Sequence, residues 1–166
     1  MTRLLVSALG ASLLVAASAQ AQDRTLTLYT SQPQADAQET VDAFMAANPD
    51  IAVDWIRDGT TSLMTKLNAE IEAGDPQPDV LLIADTVTLE QMKRDGHLAL
   101  YQSPEAANYD AALYDAEGGY HSTKLITTGI AYNTQAETVP TSYADLAKPE
   151  FATLTIMPSP LYSGAA

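Results

Sequence analysis

The sequence contains no cysteine, which removes disulfide scaffolds, thiolate metal sites, redox pairs and cysteine nucleophiles together. Positive charge is scarce. Eight Lys and Arg stand against 21 Asp and Glu, a formal charge of −13 over 166 residues, so the chain lacks the electrostatic footprint of a phosphate-backbone or anionic-membrane binder. No nucleic-acid partner is expected. Histidine is limited to His97 and His121, 24 residues apart, and neither has a metal-ligand partner two to four residues after it, so a zinc centre is not expected; His121, opening a run of β-forming residues, reads as solvated. Glycine-rich phosphate loops, a Gly-x-Ser-x-Gly elbow and a dinucleotide-binding pattern are missing from the body of the chain. Acidic pairs such as Asp75 with Asp79 and Glu70 with Glu72 carry little weight where acid is so abundant, and they read as solvated surface. Neither catalysis nor a cofactor is expected.

Long apolar runs are also lacking, except near the start. Arg3 precedes an apolar stretch from Leu4 to Ala17, and Ala19-Gln20-Ala21 places small residues two apart, which together read as an export signal cleaved after Ala21. The stretch is shorter than the roughly 20 residues of a spanning helix. Asp23 and Arg24 follow it closely, and no cysteine stands at the cleavage point to take a lipid, so no stable membrane insertion is expected. Loss of Arg3 lowers the charge by one, to −14. An exported chain without cysteine points to a bacterial periplasm rather than a secretory route rich in disulfides.

After the signal, strand and helix patterns alternate. Leu26 to Thr30 alternates and is rich in β-formers, and Ser31-x-x-Gln34 with Pro33 predicts a capping-box start to a helix carrying Ala37, Val41, Phe44 and Met45. Asn48-Pro49 ends it. A strand is expected from Ile51 to Ile56, and a helix from Thr60 to Ala73 with Leu63, Met64, Leu67 and Ile71 on one face and Gly74 as its stop. Val80 to Ala84 is a continuous apolar run of the type buried on both faces of a parallel sheet, and a third helix is expected from Thr86 to Arg94, closed by Gly96. Beyond it the sequence predicts a loop through Gly118-Gly119, a long strand from Tyr120 to Tyr132, a short helix from Ser142 to Ala147 and a strand from Thr153 to Met157.

Such an alternation builds a mainly parallel α/β sheet, and ligands on such sheets lie beyond the carboxyl ends of the strands. Those ends are Thr30-Ser31-Gln32, Asp58-Gly59-Thr60-Thr61 and Ala84-Asp85-Thr86. All are polar, and each suits a helix cap as well as a ligand.

Read in order, Leu-Tyr-Thr-Ser-Gln (28–32), Val-Asp-Ala-Phe (41–44), Asp-Val-Leu-Leu-Ile-Ala-Asp (79–85), Ile-Ala-Tyr-Asn-Thr (130–134), Pro-Thr-Ser-Tyr-Ala-Asp-Leu (140–146), Lys-Pro-Glu-Phe (148–151) and Met-Pro-Ser-Pro-Leu-Tyr-Ser-Gly-Ala-Ala (157–166) resemble periplasmic solute-binding proteins of ABC transporters. The branch resembled holds ferric-iron and 2-aminoethylphosphonate binders. The resemblance implies an α/β, type II periplasmic-binding-protein-like clamshell of about twice this length. In it residues 22–131 form most of lobe one, and residues 132–166 form a crossover and the truncated start of lobe two, with the crossover strand near Ile130 to Asn133. It also implies a monomer that holds a small-molecule ligand between its lobes and delivers it to an ABC permease.

The same resemblance assigns a site. Ferric relatives place a histidine and a glutamate where this chain has Pro33 and Ala84, neither of which ligates iron, so no metal is expected from this lobe. Ser163, Gly164 and Ala165 match the segment with which relatives hold an anion, and a hydroxyl with successive backbone N–H groups at a helix start suits phosphate, phosphonate or carboxylate. Beside what the resemblance implies, the polar strand ends offer Gly59, Thr60 and Thr61 for the same chemistry from the other lobe, Ser31 and Gln32 after the first strand, and Asp85 for an ammonium group. An anionic or zwitterionic solute is therefore expected. The alternatives are an iron carrier that holds the metal mainly through an anion or through the second lobe, and an exported enzyme or sensor domain on the same fold. The exported chain should begin at Gln22, which an intact mass measured on periplasmic material will show; a chain retaining Met1 to Ala21 there would overturn the export reading.

Overall fold

In the computed structural model residues 24–159 are described. The expected export signal and the Ser163-Gly164-Ala165 segment lie outside the described residues. Three strands and three helices follow in strict alternation: β1 (Arg24–Thr30), α1 (Gln34–Ala47), β2 (Ile51–Arg57), α2 (Thr60–Glu72), β3 (Val80–Leu82) and α3 (Thr86–Arg94). β1 lies in the middle, paired parallel with β2 from Arg24↔Ile51 to Thr30↔Arg57 and with β3 from Leu28↔Val80 to Thr30↔Leu82, giving the order β2-β1-β3. Parallel neighbours need a crossover between them, and α1 and α2 supply it.

The helices sit where their apolar periodicity puts them. Ala37 and Val41 of α1, and Leu63 and Leu67 of α2, are four apart and buried, together with Leu28 and Tyr29 of β1; that spacing places each pair on one helix face. α1 stops at Asn48, whose backbone N–H and side-chain amide both donate to the Phe44 carbonyl, just before Pro49. α2 and α3 each end at a glycine in the left-handed region, Gly74 (φ 76°) and Gly96 (φ 77°), a conformation that costs glycine no Cβ clash.

Two polar clips tie these elements together. Tyr29, 1% exposed, donates its hydroxyl hydrogen bond to Glu70 Oε1 of α2 (2.9 Å). Glu70 also pairs with Lys66 and accepts the Gln77 amide (3.3 Å), while the Lys66 ammonium stands 5.2 Å above the Tyr29 ring. The central strand, α2 and the approach to β3 therefore share one carboxylate. At the other end, Lys93 of α3 bridges Asp115 (2.7 Å) and Glu117 (2.6 Å), and Asp115 accepts the Gly119 amide (2.8 Å). The Lys93 ammonium holds the Asp115 carboxyl below its ordinary range, and the two carboxylates raise Lys93 in turn. Tyr120 adds a hydrogen bond to Glu90 of α3 (3.0 Å), so residues 114–121 are folded back onto α3.

Several expectations need correction. The capping box at Ser31 and Gln34 is not formed: the residue before α1 is Pro33, with no side-chain cap bond, and Ser31 Oγ instead accepts the Ala84 amide (3.3 Å). β3 is short and Val80 is 42% exposed, because among the described residues β3 has a strand neighbour on its β1 side alone. From Tyr120 to Tyr132 there is one antiparallel bridge, Tyr114 to His121, and then irregular chain. The Thr and Ile residues there favour a strand, but a strand needs a ladder to satisfy its backbone, and no described strand pairs with them. The stretch expected as the crossover lies in this irregular chain. His121 is not solvated; it is half-buried and stacked on Tyr114 with ring centroids 6.0 Å apart. Ser142 to Ala147 winds as a 3-10 turn over Tyr143–Ala147, with a capping box between Ser142 and Asp145. Thr153 to Met157 is not a strand, and Leu154, Ile156 and Met157 are exposed.

The Tyr29 hydroxyl has a carboxylate partner that no water replaces easily at a buried site. Tyr29→Phe is expected to cost about 1–2 kcal/mol of unfolding free energy, read as a lower midpoint in chemical denaturation with an unchanged slope.

Candidate functional site

Because all three strands run parallel, their carboxyl ends share one edge of the sheet. Thr30 is in register with both Arg57 and Leu82, so the residues that follow, Ser31-Gln32-Pro33, Asp58-Gly59 and Ile83-Ala84-Asp85, emerge side by side. In the order β2-β1-β3 the chain leaves β1 through α1 toward β2 and leaves β3 through α3, so the crevice of such a sheet lies between the ends of β1 and β3. A cleft of about 1000 Å³ runs from there along β3, lined at the strand ends by Ser31, Gln32, Pro33, Arg57, Gly59, Thr60, Ala84 and Asp85, by Tyr120 and His121 from the loop clipped to α3, and farther along by Leu67, Pro76, Val80 and Met92.

Four of the expected residues thus meet at one cleft: Ser31, Gln32, Thr60 and Asp85. Ser31 joins the ends of β1 and β3, with its amide on the Leu82 carbonyl (3.0 Å) and its hydroxyl oxygen accepting from Ala84. That leaves its O–H to give. Gln32 donates its amide to Thr30 Oγ1 (3.2 Å), and its side-chain Oε1 is buried with no hydrogen-bond partner. Thr60 is 5% exposed at the first position of α2. Thr61 is exposed and does not line the cleft; its carbonyl accepts from the Thr65 hydroxyl (2.9 Å). Asp85 caps α3, accepting from the amides of Val87 (3.0 Å) and Thr88 (3.2 Å) and from the Thr88 hydroxyl. Three of the four lone-pair positions of its carboxylate are therefore occupied. Ser163, Gly164 and Ala165 lie outside the described residues.

The three helix starts differ. α3 is capped by Asp85, whereas α1 follows Pro33 and α2 follows Gly59 with no side-chain cap bond. Pro33, Gly59 and Thr60 all border the cleft, so two helix starts without a side-chain cap reach it, with Asp36 in the first turn of α1 and Asp58, bonded to the Gly59 amide, as the nearest acids. Among the described residues no group of three or more His, Cys, Asp or Glu is arranged to hold a metal ion.

Arg57 and His121 line the cleft and escaped the sequence reading as site residues. Arg57 ends β2 and donates Nε–H to the Gln32 carbonyl (2.9 Å); as a basic residue at the carboxyl end of an expected strand, it was visible had the strand been carried one residue further. His121 lines the cleft with Nε2 buried and unpartnered. Nothing local announces it, because the Tyr114 pairing that brings it there joins two irregular segments.

Among solved structures, the periplasmic binding protein AfuA from Actinobacillus pleuropneumoniae, determined with exogenous fructose-6-phosphate bound, is similar at 24% identity, covering 54% of this chain and 27% of its own, with a TM-score of 0.49. The ABC substrate-binding protein Lmo0181 from Listeria monocytogenes, in complex with cycloalternan, is similar at 26% identity over 57% of this chain and 24% of its own, with a TM-score of 0.42. The chain thus spans about a quarter of the length of each. No curated protein is matched. Residues 29–150 match the bacterial extracellular solute-binding protein family, a span that runs from β1 through all three helices into the 3-10 turn Pro149–Phe151. With its α/β architecture, its parallel sheet and that match, the chain belongs to the family of bacterial extracellular solute-binding proteins.

Proposed function

We propose that this chain provides lobe one, residues 22–131, and the beginning of lobe two of an exported receptor for an ABC importer, and that it takes a small anionic or zwitterionic solute. The observation that carries this reading is the meeting, at one cleft, of three parallel strand ends with two helix starts that have no side-chain cap. Unsatisfied N–H groups at a helix start favour an anion. The enclosed donors, Ser31 and Thr60, suit phosphate, phosphonate or carboxylate oxygens, and Asp85 retains one lone-pair position for an ammonium group. Ser163, Gly164 and Ala165 are proposed to meet the same anion from lobe two. The receptor acts as a periplasmic monomer without chemistry on its solute. Closure of the lobes around the ligand selects the form that the permease recognises, because the solute contacts both faces in the closed state alone.

The aminoalkylphosphonate class fits this arrangement better than ferric iron. Pro33 and Ala84, which occupy the positions of the iron ligands in the resembled branch, both line the cleft, and neither side chain carries a donor atom.

Calorimetric titration of the protein carrying both lobes with 2-aminoethylphosphonate, methylphosphonate and glucose tests the reading. Binding of either phosphonate with glucose inert supports it; binding of glucose alone overturns the anionic class. Asp85→Ala separates the two roles of that residue. Loss of the cap should cost about 1 kcal/mol of stability, seen as a lower unfolding midpoint, and affinity should fall more for 2-aminoethylphosphonate than for methylphosphonate. Equal losses for both would remove Asp85 from the ammonium role and leave it the cap alone.

A further inference from the structure

In a chain with 21 acidic and eight basic residues, a cation finds a carboxylate easily, and the described structure bears this out with one exception. Arg24 pairs with Asp50, Lys66 with Glu70, Lys93 with Asp115 and Glu117, Arg94 with Glu90, Lys124 with Asp36, and Lys148 with Asp145. Arg57 is the exception. Among the described residues it has no carboxylate partner, and its one hydrogen bond runs from Nε to the Gln32 carbonyl (2.9 Å). It lines the cleft.

We infer that Arg57 is the charged anchor for the anionic group of the solute. The inference rests on the reading of the cleft as a solute site and adds which side chain supplies the charge. An anion approaching a chain of formal charge −13 meets a net repulsion, so a site for it needs a local cation whose charge is not already cancelled. Six of the seven described cations are cancelled by neighbours, and the seventh stands at the cleft. Its geometry is suited to the task. Register places Arg57 beside Thr30, and the Nε bond carries its guanidinium across to the turn that enters α1, while α2 begins three positions after it in the chain. One carbonyl fixes the Nε edge of the group, and both terminal nitrogens retain their N–H donors without a partner among the described residues. Two parallel donors in a plane match two oxygens of a carboxylate, phosphate or phosphonate.

Gln32 supplies an independent sign of a missing ligand. The residue whose carbonyl steadies Arg57 also has Oε1 buried with no partner, and a buried polar atom without a hydrogen bond is costly unless something fills the gap. A solute with an O–H or N–H donor near its anionic group satisfies both residues at once.

The test compares the protein carrying both lobes with its Arg57→Gln and Arg57→Lys variants by isothermal titration with inorganic phosphate and methylphosphonate, at low and high salt, with glucose as the neutral probe. Circular dichroism and the unfolding midpoint show whether each variant keeps the fold. The expected result is at least about a tenfold loss of phosphate and methylphosphonate affinity in Arg57→Gln and a flatter salt dependence. Arg57→Lys should fall between, because it keeps the charge and loses the fork. A purely structural role through the Gln32 carbonyl would move the unfolding midpoint without changing the salt dependence. Arg57→Gln binding phosphate as the parent does overturns the inference, and if Ser31→Ala then loses the anion, the cleft reading survives without Arg57. Binding of glucose but not phosphate by the parent overturns both the anchor and the anionic class. Binding of none of the probes overturns the anchor and the cleft reading together.

Discussion

The parallel registration of β1 between β2 and β3 is the constraint on which the rest depends. Thr30 pairs on one side with Arg57 and on the other with Leu82, so the last residue of each strand is fixed against the other two. Everything at the cleft inherits that alignment. Ser31 reaches the β3 end by two hydrogen bonds, Arg57 reaches the Gln32 carbonyl, and Asp79 and Thr27 exchange hydrogen bonds where β3 begins. A slip of one residue in either ladder would turn Tyr29 out of the core, and with it the hydroxyl that holds Glu70 and α2.

The first seventy residues of the fold were legible because their information is local. Helical spacing at Ala37 and Val41 and at Leu63 and Leu67 marks the buried faces, and Gly74 and Gly96 mark the ends; each signal lies within one element. Where the outcome turns on a partner distant in sequence, local reading fails. Ser31 has the residue type and spacing of a helix cap, yet the Ala84 amide on the neighbouring strand takes its hydroxyl oxygen. Residues 120–132 have the composition of a strand and no described strand beside them. Val80 reads as doubly buried, but its exposure depends on what lies beyond β3, which its own neighbours in sequence do not encode.

The site was legible to the same degree and for the same reason. The rule that ligands sit beyond parallel strand ends pointed to Ser31, Gln32, Thr60 and Asp85, which line one cleft, and to Thr61, which does not. It gave no means of ranking them, since a polar residue before a helix is either cap or contact. The structure ranks them by what each already does. Asp85 spends most of its carboxylate on α3, Ser31 gives one of its two lone pairs to the Ala84 amide after β3, and Gln32 leaves an acceptor buried and unused.

That ranking ties electrostatics to architecture. A surplus of acid disposes of nearly every cation at the surface in ion pairs of small individual worth, and so acts as a filter: a positive charge survives unneutralised only where the backbone holds it away from carboxylates. At the end of β2 the parallel ladder does this for Arg57, since its neighbour across the ladder is Thr30 and its hydrogen-bond partner is a carbonyl. Asp58, next in the chain, turns its carboxylate to the Gly59 amide (2.6 Å) instead. The same bond orders the start of α2, whose first amides then stand uncapped beside the cleft. One short turn, Arg57-Asp58-Gly59, therefore leaves Arg57 without an ion pair and α2 without a side-chain cap, because the Asp58 carboxylate is turned to the Gly59 amide and not to the guanidinium.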